Sequence, residues 1–369
     1  MTSVFFLNID YKSPCIYGSL PYCVLFVFVH NKRHLMLITK KVSVFGGSGF
    51  IGSCVVQHLA DAGYLIDVIT RSKRKCARLL VAGYVGQVRV HNINIDDTKS
   101  LEDIIESSDF IVNCIGVPPH IDASADNMTK LHITFPSLIS KCCSNANKKL
   151  IHISSLFASY SNDSRARYAL IREEGDKIVL NNCNATILRL SLVFGQEDTF
   201  FNRIAMMANT MRMIITYGKT VETAKIQPIY VGDVAASILS IINKNNTSNG
   251  VYELGGKSTY TNRFFYHMIL NACGISKDRV ISIPKFLMSL ICSSMNIIPR
   301  SFRVITHDQM KMFSTDSIVK SDLNIETLGL NTVNTMKTLK EQLTRYDLNN
   351  SLRYRGRILS ENYYPCSQK

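Results

Sequence analysis

The sequence predicts an α/β fold, a doubly wound parallel sheet followed by a smaller, mainly helical C-terminal domain. Three observations carry that expectation. From residue 40 onward, short apolar runs alternate with longer stretches of helical spacing. The first of them, Val42-Ser43-Val44-Phe45, has the pattern of a buried strand. The first run leads straight into a glycine loop, Gly46-Gly47-Ser48-Gly49-Phe50-Ile51-Gly52, and then into Ile51, Val55 and Leu59 at helical spacing.

The elements follow in order. Strands are expected at Val42–Phe45, Leu65–Thr70, Val88–Ile93, Phe110–Ile115, Leu150–Ser154 and Thr186–Leu190. Helices are expected to begin near Phe50, Lys73, Thr98, Ala125 and Arg165, the third presenting Leu101, Ile104 and Ile105 as its apolar face. Strand–helix alternation of this kind makes right-handed βαβ units and a parallel sheet. The alternation stops after Phe194-Gly195. Ile226–Tyr230, with a helix running on to Ile242, reads as a return to the sheet. Residues 36–245 are thus expected to form the sheet domain and 246–345 the small helical one. Phe286–Ile298 is apolar, ends at Pro299 and is too short to cross a bilayer, so core burial is its expected fate.

The ends fall outside this pattern. Residues 1–35 hold one apolar run, 21–30, well short of the roughly 20 residues a membrane helix needs. It lacks the basic lead and small-residue exit of a signal peptide. The first strand lies only six residues beyond Met36, so the extension is expected to stand outside the fold. Residues 346–369 form a basic tail carrying Arg353, Arg355 and Arg357.

Composition narrows the function. The chain has 369 residues, is 46% hydrophobic and 19% charged, and carries a net charge of +14. It is too apolar to be a disordered tail, and its charge points to an anionic partner. The eleven cysteines show no CxxC spacing, which argues against a zinc site or a disulfide framework and for a reducing compartment. The expected location is cytoplasmic, with peripheral attachment to the inner face of the cell membrane as the variant.

The glycine loop carries the first chemistry. Gly46 permits a tight turn, Gly49 lets the backbone approach a pyrophosphate, and Gly52 lets the helix pack on the strand. The free N–H groups of Phe50, Ile51 and Gly52 then face the phosphates at the positive end of the helix. This is a Rossmann dinucleotide site. About twenty residues on, an NAD site places a carboxylate on the ribose 2′-hydroxyl. Here the chain reads Thr70-Arg71-Ser72-Lys73-Arg74, and the last carboxylate, Asp67, lies inside the strand. Arg71 with Lys73 or Arg74 suits a 2′-phosphate, so the expected cofactor is NADP(H).

Six segments carry a family resemblance: KKVSVFGGSGFIG at 40–52, VNCIG at 112–116, LIHISSLFA at 150–158, ATILRLSLVFGQEDTFFNR at 185–203, IQPIYVGDVA at 226–235 and VYELGG at 251–256. The chain resembles an atypical extended short-chain dehydrogenase/reductase of the NAD-dependent epimerase/dehydratase family. It is similar in particular to the NADPH-binding accessory subunits of respiratory NADH:ubiquinone oxidoreductase and their alphaproteobacterial relatives. The resemblance spans about residues 40–345. It implies that Asn94 and Ile95 flank the adenine and that Ile115 and Gly116 pass beside the cofactor. It also implies a catalytic Ser or Thr, a Tyr, and a Lys four residues later. Ser154 or Ser155 takes the first place, with Ser154 preferred, and Tyr168 takes the second. The third is Arg172, not Lys. Lys177 is nine residues on, two and a half turns away on the opposite face. A second departure is Leu190, where the subgroup usually has Pro. Arg172 keeps the charge, but its longer planar fork does not reproduce a compact ammonium at a ribose diol.

Three readings follow. The first is a cofactor-holding accessory or assembly subunit docked on a membrane respiratory complex, with its own catalysis impaired or absent. The second is an active NADP-dependent reductase, epimerase or dehydratase acting on a nucleotide sugar or a lipid. The third is an NADP(H)-sensing regulator or an RNA-binding relative. No aromatic-basic RNA-recognition motif is present, so no nucleic-acid partner is expected. The Tyr-xxx-Arg pattern and the subgroup segments favour the first.

Overall fold

The computed structural model describes residues 40–118, 124–160, 166–244, 249–275, 279–294 and 306–346. The N-terminal extension, residues 347–369 of the basic tail, Arg165 and residues 295–299 lie outside these.

Seven parallel strands form the central sheet. They are β1 (Lys41–Phe45), β2 (Leu65–Thr70), β3 (Val88–Asn92), β4 (Phe110–Asn113), β5 (Lys149–Ser155), β6 (Ala185–Leu190) and β11 (Gly250–Leu254). Their order is β11-β6-β5-β4-β1-β2-β3. The chain moves outward from β1 through β2 to β3, then returns to β4 on the other side. The carboxyl ends of β1 and β4 therefore open a crevice, where open α/β sheets bind ligands.

Alternate strand residues feed opposite layers. Val44 and Val112 pack with Val55 and Leu59 of α1 (Phe50–Asp61) on one face. Phe45 and Ile111 pack with Leu101 and Ile105 of α2 (Thr98–Glu106) on the other. The second layer continues through α3 (Ala125–Thr129), a π-helical turn at Lys130–Thr134, α4 (Phe135–Asn145) and α5 (Arg167–Asn182). The stretch expected as a helix from Lys73 is a 3-10 helix, Lys73–Val81. Only Cys76 and Leu79 of it are buried, too narrow a face to hold a full α-helix on the sheet.

Two expectations about the second half are corrected. Ile226–Tyr230 does not rejoin the main sheet. It splits into β9 (Lys225–Ile226), antiparallel to β12 (Tyr260–Thr261), and β10 (Ile229–Tyr230), parallel to β7 (Val193–Phe194). Pro228 between them has no N–H to offer a central strand. The seventh strand is β11 instead, beyond residue 245, laid on β6 by α8 (Val231–Lys244).

The remaining elements are mainly helical: α6 (Phe200–Met211), β8 (Ile214–Tyr217), α7 (Gly218–Thr223), α9 (Asn262–Ala272), β13 (Val280–Ile283), α10 (Lys285–Ser294), α11 (His307–Phe313) and α12 (Thr335–Leu343). Phe201, Phe265, Ile269 and Leu339 form their core. The apolar segment starting at Phe286 is not wholly buried. In α10 only Met288 and Cys292 turn inward, and Phe286 and Leu290 stay exposed. Four residues apart, each pair shares one helix face, and a single packed neighbour covers only one.

Candidate functional site

The glycine loop follows β1 as a tight turn. Gly46 sits at φ +74°, a conformation that L side chains rarely adopt. Its N–H donates to the Ile69 carbonyl at 3.0 Å, which ties the loop to β2. A Cβ at Gly52 would collide with the Gly46 carbonyl oxygen, so only glycine lets α1 start this close to the turn. Gly49 is the N-cap of α1 and brings no side chain to it. The first turn holds no acidic residue. Its N–H groups are left for an incoming anion.

The basic segment lies beyond β2 and β3. Ser48 and Thr70 hydroxyls meet at 2.8 Å, placing the loop beside the end of β2. Arg71, Lys73 and Arg74 follow, all exposed. Among the described residues none of the three is in an ion pair. Asp67 is spent elsewhere: buried in mid-strand, it pairs with Lys41 at 2.5 Å and His91 at 2.9 Å. Asn94 is exposed and Ile95 buried just past the end of β3.

Beside the loop lies a cavity of about 250 Å³ whose lining includes Gly49, Phe50, Ile51, Gly52, Ile115, Gly116, Ser154, Tyr168 and Arg172. Residues far apart in the chain, Gly52 and Arg172 among them, thus line one cavity; Arg71, Lys73, Arg74, Asn94 and Ile95 are not part of its lining. One buried polar atom of these lining residues, Arg172 Nε, has no hydrogen-bond partner among the described residues. A dinucleotide fits the loop, the helix end and the exposed cations together.

The hydroxyl paired with Tyr168 is that of Ser155, and Ser154 lies beside Asp176. Neighbouring residues on a strand face opposite ways, so the two serines serve different neighbours. Burial pushes the Tyr168 phenol above its usual range, and the Arg172 charge and the Ser155 bond offset this only in part.

Arg172 is buried and committed. Its Nη1 donates to His132 Nδ1 at 2.7 Å, and its Nη2 donates to the Ile153 carbonyl at 2.6 Å. Gly175 allows this contact: a Cβ there would strike the His132 carbonyl, so α5 approaches the π-helical turn only through a glycine. Burial and the guanidinium together drive the His132 pKa down to about 2. His152, on β5, is held at about 3 by burial and Arg172, and accepts from Asn113 Nδ2 at 3.0 Å. Asn113 Oδ1 in turn accepts the Ile115 N–H at 3.0 Å, fixing the backbone that enters the cavity. One turn past Arg172, the buried Asp176 accepts from Arg189 Nε at 2.8 Å. Asp198 accepts the Phe201 N–H at 2.7 Å and so fixes the start of α6, where Phe200 closes the cavity.

His132, His152, Asp176 and Asp198 escape a reading of the sequence. His132 stands 40 residues from Arg172 with no motif around it. Asn113 alone signals itself, as a polar residue inside the buried run VNCIG.

The sequence profile of the NAD dependent epimerase/dehydratase family matches residues 42–255. The chain belongs to this family. Among curated relatives, the alpha subcomplex subunit 9 of mitochondrial NADH dehydrogenase (ubiquinone) from Dictyostelium discoideum is 29% identical over 311 residues, 81% of this chain and 84% of that protein. The mouse protein of the same name is 25% identical, over 82% of this chain and 80% of its own. Among solved structures, a UDP-glucuronic acid 4-epimerase from Bacillus cereus, in complex with UDP-glucuronic acid and NAD, superposes with a TM-score of 0.62. It is 16% identical, covering 83% of this chain and 98% of its own, and so supports the fold alone. No helix among the described residues is long and apolar enough to cross a membrane. No cluster of metal-ligating side chains occurs among them.

Proposed function

We propose that the chain holds NADP(H) as a subunit of a respiratory NADH:ubiquinone oxidoreductase, and does not turn the cofactor over. The observation that carries this reading is the commitment of Arg172 to His132 and the Ile153 carbonyl. The family lysine steadies the nicotinamide ribose and draws down the tyrosine pKa. A guanidinium held by two other acceptors is poorly placed for the first task. For the second, burial outweighs its charge. The names of the relatives support the partner.

In this reading Gly46, Gly49, Phe50, Ile51 and Gly52 hold the pyrophosphate. Arg71 with Lys73 or Arg74 holds the 2′-phosphate, Asn94 and Ile95 flank the adenine, and Ile115, Gly116, Tyr168 and Arg172 line the nicotinamide end. The bound cofactor would supply hydride chemistry, which this site leaves idle. Titration should show NADPH binding more tightly than NADH. Arg71→Ala should cost about 1.5–3 kcal/mol of NADPH affinity and little of NADH affinity. Equal affinity for both nucleotides in the unmodified chain would remove the NADP(H) assignment.

The function itself is tested on the native chain purified from its own membranes. It should co-purify with subunits of the respiratory complex and release NADP(H) on denaturation. A second reading, an active reductase, epimerase or dehydratase of a nucleotide sugar or lipid, is favoured by one observation, the surviving Tyr168–Ser155 pair. Steady turnover by the unmodified protein that Tyr168→Phe abolishes would establish that reading and overturn the first.

A further inference from the structure

A second cavity lies in the C-terminal part, between α6, β8, β13, α10 and α11. Its volume is about 570 Å³, within the range of small-molecule pockets. Met207, Met211, Met213 and Met288 line it, with Phe313 and Tyr266. Methionines are flexible and polarizable, and such a lining adapts to a chain of variable bend. Among the described residues the lining includes no Asp or Glu. Among the described residues its single cation is Arg203, half-buried on α6 and in no ion pair.

One feature marks this as a ligand site and not a packing flaw. The cavity reaches the surface through an apolar mouth, where the lining residues Met211, Ile215 and Leu287 are 42%, 46% and 39% exposed. At the other end, Phe200 lines both this cavity and the one beside the glycine loop. Arg203 stands about one turn from Phe200, and Met207 and Met211 continue the same stripe toward the mouth.

We propose that this cavity binds a long-chain fatty carboxylate, its head on Arg203 and its chain along the methionine stripe. One guanidinium matches one carboxylate. A nucleoside diphosphate would bring at least two negative charges and a polar base to a wall with one cation. The proposal rests on this cavity alone and is independent of which dinucleotide binds.

The test uses the full chain and the fluorescent fatty acid cis-parinarate, kept below its micelle concentration. Fluorescence should rise and saturate at one probe per chain, and laurate should displace it. Arg203→Ala should weaken laurate about tenfold, the loss of one charged hydrogen bond, and leave dodecanol, which has no charge, unchanged. The chain contains no tryptophan, so Leu287→Trp both narrows the mouth and supplies a single reporter. Its emission should be quenched by a brominated fatty acid. Circular dichroism and a cooperative melt establish that each variant is folded. Absence of saturable binding by the folded unmodified chain would overturn the proposal. So would laurate affinity indifferent to Arg203, or binding seen only with phosphatidylcholine vesicles, which would make the mouth a membrane contact. Binding that appears only after residues 295–305 are deleted would make the occupant a segment of the chain itself.

Discussion

Replacing His132 and His152 by glutamine should flatten the acid dependence of stability by about 3 kcal/mol per pH unit between about pH 6 and about pH 4. Both imidazoles are buried neutral, with pKa values driven from 6.5 to about 2 and about 3. An unfolded histidine takes up its proton near pH 6.5, and these do so only far below it. Over that interval the unfolded chain binds more protons than the folded one, so stability is present above about pH 6.5 and is lost as pH falls. Each histidine contributes about 1.36 kcal/mol per pH unit, and over two units the pair would remove about 5 kcal/mol, comparable to the whole stability of many domains. Asp233 acts in the opposite direction. Burial raises its pKa to about 6, so the folded state takes its proton first and gains stability as pH falls from about 6 toward 4. The histidine effect is therefore read as a difference between proteins. Urea midpoints at several pH values, for the unmodified chain and the double variant, give the two slopes. Glutamine can still accept from Arg172 and Asn113, so the comparison isolates the proton. Parallel slopes would mean that the histidines are protonated or solvated in the folded protein.

Gly52→Val should abolish dinucleotide binding, lowering affinity about a hundredfold or more. The added carbons meet backbone, namely the Gly46 carbonyl and Gly47 Cα, and no side chain is there to swing aside. The turn and the first turn of α1 must separate, at about 1–3 kcal/mol in stability. The N–H groups at the helix end then leave the line of the phosphates, and two charge-assisted bonds at about 1.5–3 kcal/mol each account for the loss. The readout is the rise in melting temperature that NADPH gives by binding the folded state. It should vanish in the variant while the protein still melts cooperatively. A full NADPH-induced shift in Gly52→Val would place the pyrophosphate elsewhere.

Local signals in the chain account for the sheet and for the phosphate end of the site. Strand and helix starts are set by periodicity and by glycine, which act over a few residues. Accordingly β1 through β6 and the beginning of α1 lie within a residue or two of where spacing places them. The place of Arg71 just past the end of β2 is legible for the same reason, since its distance from the loop is a fixed property of a βαβ unit. Tyr168 and Arg172 are legible because four residues make about one helical turn.

Tertiary packing decides the rest. Nothing within a few residues of Ser154 and Ser155 says which of them meets Tyr168, because that depends on the face α5 covers. Nothing near His132 marks it as the partner of Arg172. The pairing exists because a π-helical turn and Gly175 bring two distant segments into contact. Likewise β11 outcompetes Ile226–Tyr230 for the edge of the sheet, a choice between strands that only the closed sheet can make. The pKa shifts follow the same division. A residue's type sets its ordinary value, but desolvation and neighbouring charge set the value it has, and both arise only when residues far apart in sequence exclude water together.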